Sequence, residues 1–172
     1  MNNDYIKSLF QKYKKRGIIV DANLLLVYFL GSFNPQLISQ YKRTKDNYTF
    51  EDFKDLCRII KYFDRVLTTP NILTEVSNLS SALRTEYLIE YFKKFKDMVT
   101  TLDEEIIMSK RATENKYFEK YGLTDAVIIE LCQKKYLVIT DDFPLSNSLS
   151  HINIDVINFN HIRQYRWSIG QR

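Results

Sequence analysis

The sequence predicts an α/β protein, a three-layer α/β/α sandwich around a central, mostly parallel sheet. Three observations predict it. Short apolar runs recur along the chain, at Ile18, Ile19 and Val20, at Val66 and Leu67, and at Leu137, Val138 and Ile139. They are continuous rather than alternating, which is the pattern of strands buried on both faces. Between them lie stretches of 3.6-residue periodicity, long enough to carry helical crossovers between parallel strands. Acids follow two of the runs, Asp21 directly after the first and Asp141 and Asp142 after the third and Thr140. In open α/β sheets the carboxyl ends of strands are where ligands bind.

Taken in order, residues 4–16 read as an amphipathic helix. Tyr5, Leu9, Phe10 and Tyr13 face inward, and Lys7, Lys12, Lys14, Lys15 and Arg16 face out. Residues 17–21 form the first strand, and 23–31 a helix apolar enough to be buried. Residues 32–48 contain Pro35, Lys42, Arg43 and Lys45 and form a long connection or a short helix with a loop. Thr49 is the N-cap of a helix that ends near Asp64, with Glu51 and Asp52 in its first turn. A short strand at 65–68 leads to Thr69 and Pro70, a cap and first-position pair that starts the next helix. That helix carries Glu75 among apolar neighbours.

Residues 83–98 are a further helix with Leu88, Phe92, Phe95 and Val99 on one face. Asp103, Glu104 and Glu105 are expected to start a helix that runs to about Arg111. Gly122 punctuates the polar and aromatic stretch 112–121. Thr124 and Asp125 open another helix, where the macrodipole favours an ionised Asp125. The strand at 136–140 ends at Asp141 and Asp142. A short helix follows around Pro144, then a last strand at 152–157. The tail 158–172 carries His161, Arg163, Arg166 and Trp167 and is expected to dock at first and fray at its end, with Trp167 packing there.

The 172 residues suit one domain, 1–172, with an N-terminal helix at 1–16 and a C-terminal tail at 158–172. Hydrophobic residues make up 45% and charged residues 27%, a globular composition that excludes a disordered chain. A net charge of +4 permits nucleic-acid binding without requiring it. The two cysteines, Cys57 and Cys132, lack a CxxC spacing and a nearby His, so buried free thiols are expected. No apolar run reaches the ~20 residues of a membrane span, so no membrane partner and a cytoplasmic location are expected.

Asp21 and Asp142 fall at strand ends, Asp125 at a helix start, and Glu75 in the helix after the second strand. In a parallel sheet these positions share one edge. Carboxylates gathered there repel one another. A divalent cation removes the conflict, and hard oxygen donors select Mg²⁺ (or Mn²⁺). Metal held by carboxylates, without a nucleophilic Ser or Cys, points to phosphodiester hydrolysis. Lysines and arginines around such a site would hold RNA phosphates.

The segments I-I-V-D-A-N (18–23), T-P-N-I-L-T-E-V (69–76), Y-G-L-T-D-A (121–126) and V-I-T-D-D-F-P-L (138–145) resemble the PIN-domain nucleases, including the toxins of Vap-type toxin–antitoxin pairs. The resemblance implies a PIN-like fold and a metal-dependent endoribonuclease acting on RNA. It assigns Asp21, Glu75, Asp125 and Asp142 as the catalytic and metal-binding acids, with Asn23 and Thr140 in supporting positions. Asp141 is an extra acid whose side chain is expected to point away from that of Asp142. A cognate antitoxin and a homodimer are partners that the family implies. The chain is longer than the small toxins, the additions being the N-terminal helix, 32–48 and 80–120. Two alternatives use the same residues. A non-catalytic PIN scaffold would bind RNA or a protein partner without an ion. A receiver-like phosphoacceptor would need an acid pair on the first strand, where only Asp21 stands.

Overall fold

A computed structural model describes residues 3–133 and 135–169, with side chains for 4–133 and 135–164. The chain runs α1 (Asn3–Tyr13), β1 (Ile18–Val20), α2 (Ala22–Phe33), α3 (Leu37–Gln40), α4 (Phe50–Tyr62), β2 (Val66–Thr68), α5 (Pro70–Ser80) and α6 (Thr85–Val99). It continues through β3 (Asp103–Glu104), α7 (Ser109–Thr113), α8 (Phe118–Cys132), β4 (Leu137–Thr140), α9 (Phe143–His151), β5 (Val156–Asn158) and α10 (Phe159–Ile169).

The five strands form one sheet in the order β3-β2-β1-β4-β5, with every pairing parallel. Helices flank it to give the three-layer α/β/α sandwich. On one side α2 packs against α3, α4, α5 and α6; elsewhere α8 packs against α5, α7 and α9, and α10 against β5. The residues of β1, β2, β4 and β5 are all buried, as expected for strands covered on both faces. Successive strands run outward from β1 to β3 on one side and from β4 to β5 on the other. The order therefore reverses between β1 and β4, which opens a crevice at their carboxyl ends.

Local sequence explains most boundaries. Thr49 and Asp52 form a reciprocal capping box at the start of α4, and Thr69 caps α5 with Pro70 behind it. Gly17 turns into β1 at a φ of +106°, and a Cβ there would stand 2.6 Å from Leu67 Cδ1 and 2.9 Å from Arg65 Cβ. Only glycine fits both the dihedral and the space. Gly122, at φ +78° and ψ −172°, breaks α8 and lets a new segment begin just before Thr124 and Asp125.

Several expectations need correction. The run Asp103, Glu104, Glu105 does not start a helix. Asp103 and Glu104 form the edge strand β3, paired to β2, and Asp103 binds Arg65 at 2.6 Å. Acids suit a solvent-facing edge, where charge discourages pairing with another chain. Tyr5 is exposed, and Ile6 takes the inward position in α1. The last strand starts at Val156 because Asn153, at φ 59°, turns the chain ahead of it. The first part of the tail is helix α10; the side chain of Trp167 and residues 170–172, where fraying was expected, lie outside the described residues. Both cysteines are free, but only Cys132 is fully buried and Cys57 is half-buried. Among the described residues no helix is long and apolar enough to cross a membrane.

Candidate active site

Strand register builds the site. Val20 stands opposite Ile139, so the next row outward brings Asp21 level with Thr140, and Thr140 lies opposite Asn158. The Asp21 backbone N–H donates to Ile139 O at 3.1 Å. Asp21 is only 7% exposed and caps α2, accepting from Leu24 N at 2.9 Å through Oδ1. Its Oδ2 accepts from the backbone N–H of Asp141 at 3.1 Å. Burial, and then the charge of Asp141, push its carboxyl up from about 3.8 to about 7. Hydrogen bonds from Thr140, Leu24 and Asp141 only partly oppose that rise.

Asp141 and Asp142 do point apart, and each meets a different partner. Asp141 faces Asp21, and its Oδ2 accepts from the Tyr48 hydroxyl. Asp142 is exposed and caps α9 through Leu145 N at 2.7 Å, while its own N–H donates to Thr140 Oγ1 at 3.0 Å. Its charge acts on Asp125. Asp125 is half-buried in the segment after Gly122, with its carboxyl pushed up to about 6. Desolvation is the main cause, followed by Asp142 and Glu75. The helix-start position favours the charged form, as expected, but burial and these neighbours oppose it. Glu75 reaches this group because α5 packs against α8. It lines a groove of about 520 Å³ with Thr124, Ile106 and Met108.

Asp21, Glu75, Asp125 and Asp142 thus share the carboxyl edge of the sheet, as a row with two centres. Asp21 and Asp141 form one; Asp125, Asp142 and Glu75 form the other. Among the described residues no three His, Cys, Asp or Glu side chains stand around a single point where an ion could sit. The donor chemistry nevertheless suits a hard divalent cation. The groups are carboxylates, and burial first and the neighbouring carboxylates second raise Asp21 and Asp125. Two buried polar atoms at the same edge, Thr68 Oγ1 and Asn158 Nδ2, have no hydrogen-bond partner among the described residues.

Thr140 is fully buried and supports both centres, since it bonds Asp21 and accepts from Asp142 N. Asn23 is exposed at the rim of a second pocket, beside Asp141 and Tyr48. Sequence reasoning missed Tyr48, Asn160 and Arg163. The Arg163 guanidinium binds Asp52 at 3.1 Å, Asn47 O at 3.0 Å and Asn160 Oδ1 at 2.6 Å, and lies over the rings of Tyr48 and Phe159, 5.1 Å from each centroid. Asn160 Nδ2 in turn donates to Asp141 O at 3.3 Å. The available signal was local: an Asn and an Arg spaced i, i+3 after an apolar strand. Burial pushes the Cys132 thiol far up, so it offers no nucleophile. Comparison of the chain with protein-family models, with curated proteins and with solved structures finds no match.

Proposed function

We propose that the chain is a divalent-metal-dependent endoribonuclease of the PIN type. The observation that carries this reading is the convergence of Asp21, Asp141, Asp142, Asp125 and Glu75 on the strand-end crevice where the sheet order reverses. Asp21, Asp125, Asp142 and Glu75 would hold Mg²⁺ or Mn²⁺, which when bound supplies an activated water and neutralises charge on a phosphodiester.

The chain's own groups do the positioning. Asp21 is fixed through both oxygens, by Leu24 N and Asp141 N, so its carboxylate cannot swing away. Thr140 ties Asp21 to the backbone of Asp142 and sets the spacing between the two centres. Asp125 joins Asp142 and Glu75 from its own element, and it must lose the proton that burial favours before a cation can bind.

Calorimetric titration tests the reading. Mn²⁺ should bind the wild type and give no heat with the Asp21→Asn, Asp142→Asn double variant. Binding should weaken as pH falls toward the raised carboxyls of Asp21 and Asp125, because those groups must lose protons to bind. No binding at millimolar Mn²⁺ would leave the non-catalytic scaffold as the better reading.

A further inference from the structure

A second pocket, of about 340 Å³, opens on the β4–β5 side of Asp21, at the lower end of the range for ligand pockets. Asp141 forms the wall it shares with the carboxylate row. The rest of its lining is polar, from Arg43, Arg163, Asn23, Asn47 and Asn160; the Arg163 guanidinium and Asn160 Nδ2 are already bonded within the protein, and Arg43 and Asn23 are exposed. Arg163 is the fixed part. It is held by Asp52, Asn47 O and Asn160, and it covers the faces of Tyr48 and Phe159. Arg43 is the available part. It is exposed on the 41–48 connection, with no ion pair among the described residues, and Lys42 and Lys45 on the same connection are likewise exposed.

The lining decides the kind of ligand. A nucleobase would want an open aromatic face, and the Tyr48 ring in this pocket is already covered by Arg163. Guanidinium and amide N–H groups around a small polar volume are what a phosphate uses. The location matches as well, because the pocket borders Asp141, which is bonded to Asp21.

We propose that this pocket is a phosphate subsite for the RNA strand, seating a phosphodiester next to the one lying over the carboxylates. Arg43 makes the direct contact, and Arg163 positions Asn160 and Tyr48 around it. The proposal rests on the nuclease reading and deepens it, and binding without metal tests the two separately.

The experiment measures anisotropy of a labelled single-stranded RNA in chelator, across a salt series, for the full chain. Arg43→Ala should weaken binding several-fold at low salt and flatten the log–log salt dependence by roughly 0.7, the value for one phosphate contact on a single strand. Arg43→Lys should recover part of the loss. Lys93→Ala, which removes a cation paired with Glu90 on the exposed face of α6, should change nothing. Equal affinity and equal salt slope in Arg43→Ala and wild type would overturn the subsite. If Asp21→Asn abolishes cleavage in that case, the nuclease reading survives alone. Arg43-dependent binding in a protein that never cleaves RNA would support the subsite and sink the nuclease reading.

Discussion

Asp21 Oδ2 accepts the backbone N–H of Asp141 at 3.1 Å, which ties the ends of β1 and β4 together through an acid side chain. The two residues are far apart in sequence and are neighbours only because the sheet order reverses between their strands. The bond keeps Asp141 beside Asp21, and the next residue, Asp142, then turns toward Asp125. One dipeptide thereby serves two carboxylate centres.

The buried Asp21 gives the protein a pH-dependent stability. Its carboxyl binds a proton in the folded state up to about pH 7, whereas in the unfolded chain it loses it near 3.8. The folded state therefore holds more protons between those values, and stability falls as pH rises from about 4 to about 7. Asp21→Asn removes that slope. Without divalent ions, the stability of the variant relative to wild type should improve across the window, by at most about 4 kcal/mol. Loss of one of the two acceptors on residue 21 adds a constant offset that leaves the pH trend intact. Urea unfolding in chelator at several pH values reads it, and a difference that stays flat with pH would contradict the buried, proton-binding Asp21.

Tyr48 is 8% exposed, and its hydroxyl donates to Asp141 Oδ2. Tyr48→Phe keeps the ring under Arg163 and removes only the donor. A hydrogen bond to a charged group contributes roughly 1.5–3 kcal/mol, so the variant should lose about 2 kcal/mol in urea unfolding. A loss well below 0.5 kcal/mol, on the order of an exposed surface change, would mean that Asp141 does not depend on this contact.

Gly17→Ala sets a limit on the turn into β1. The new Cβ meets Leu67 and Arg65 below 3.0 Å at a dihedral that L residues rarely adopt. Strain and overpacking together should cost roughly 2–4 kcal/mol, read as a fall in the thermal midpoint. A neutral outcome would mean that the chain enters β1 along a different path.

The sheet, its strand ends and most caps were readable because they rest on local signals. Continuous apolar runs marked β1, β2 and β4, Thr49 and Thr69 marked helix starts, and Gly122 marked the break before Asp125. The edge strand β3 was not readable, since two acids carry no apolar pattern and owe their pairing to β2. The raised proton affinity of Asp125 was not readable for a similar reason. Its own helix favours the charge, whereas burial and the carboxylates of Asp142 and Glu75, from other elements, oppose it. The pocket built from Tyr48, Asn160 and Arg163 draws on segments more than a hundred residues apart, so only the fold brings it together.

The most direct test is cleavage of a labelled single-stranded RNA by the full chain in Mn²⁺ or Mg²⁺, beside a chelator control. Metal-dependent cleavage that falls at least a hundredfold, about 3 kcal/mol of transition-state stabilisation, in both Asp21→Asn and Asp142→Asn is the expected result. Cleavage that persists undiminished in those variants, or in chelator, would contradict the assignment of the strand-end carboxylates as the catalytic centre.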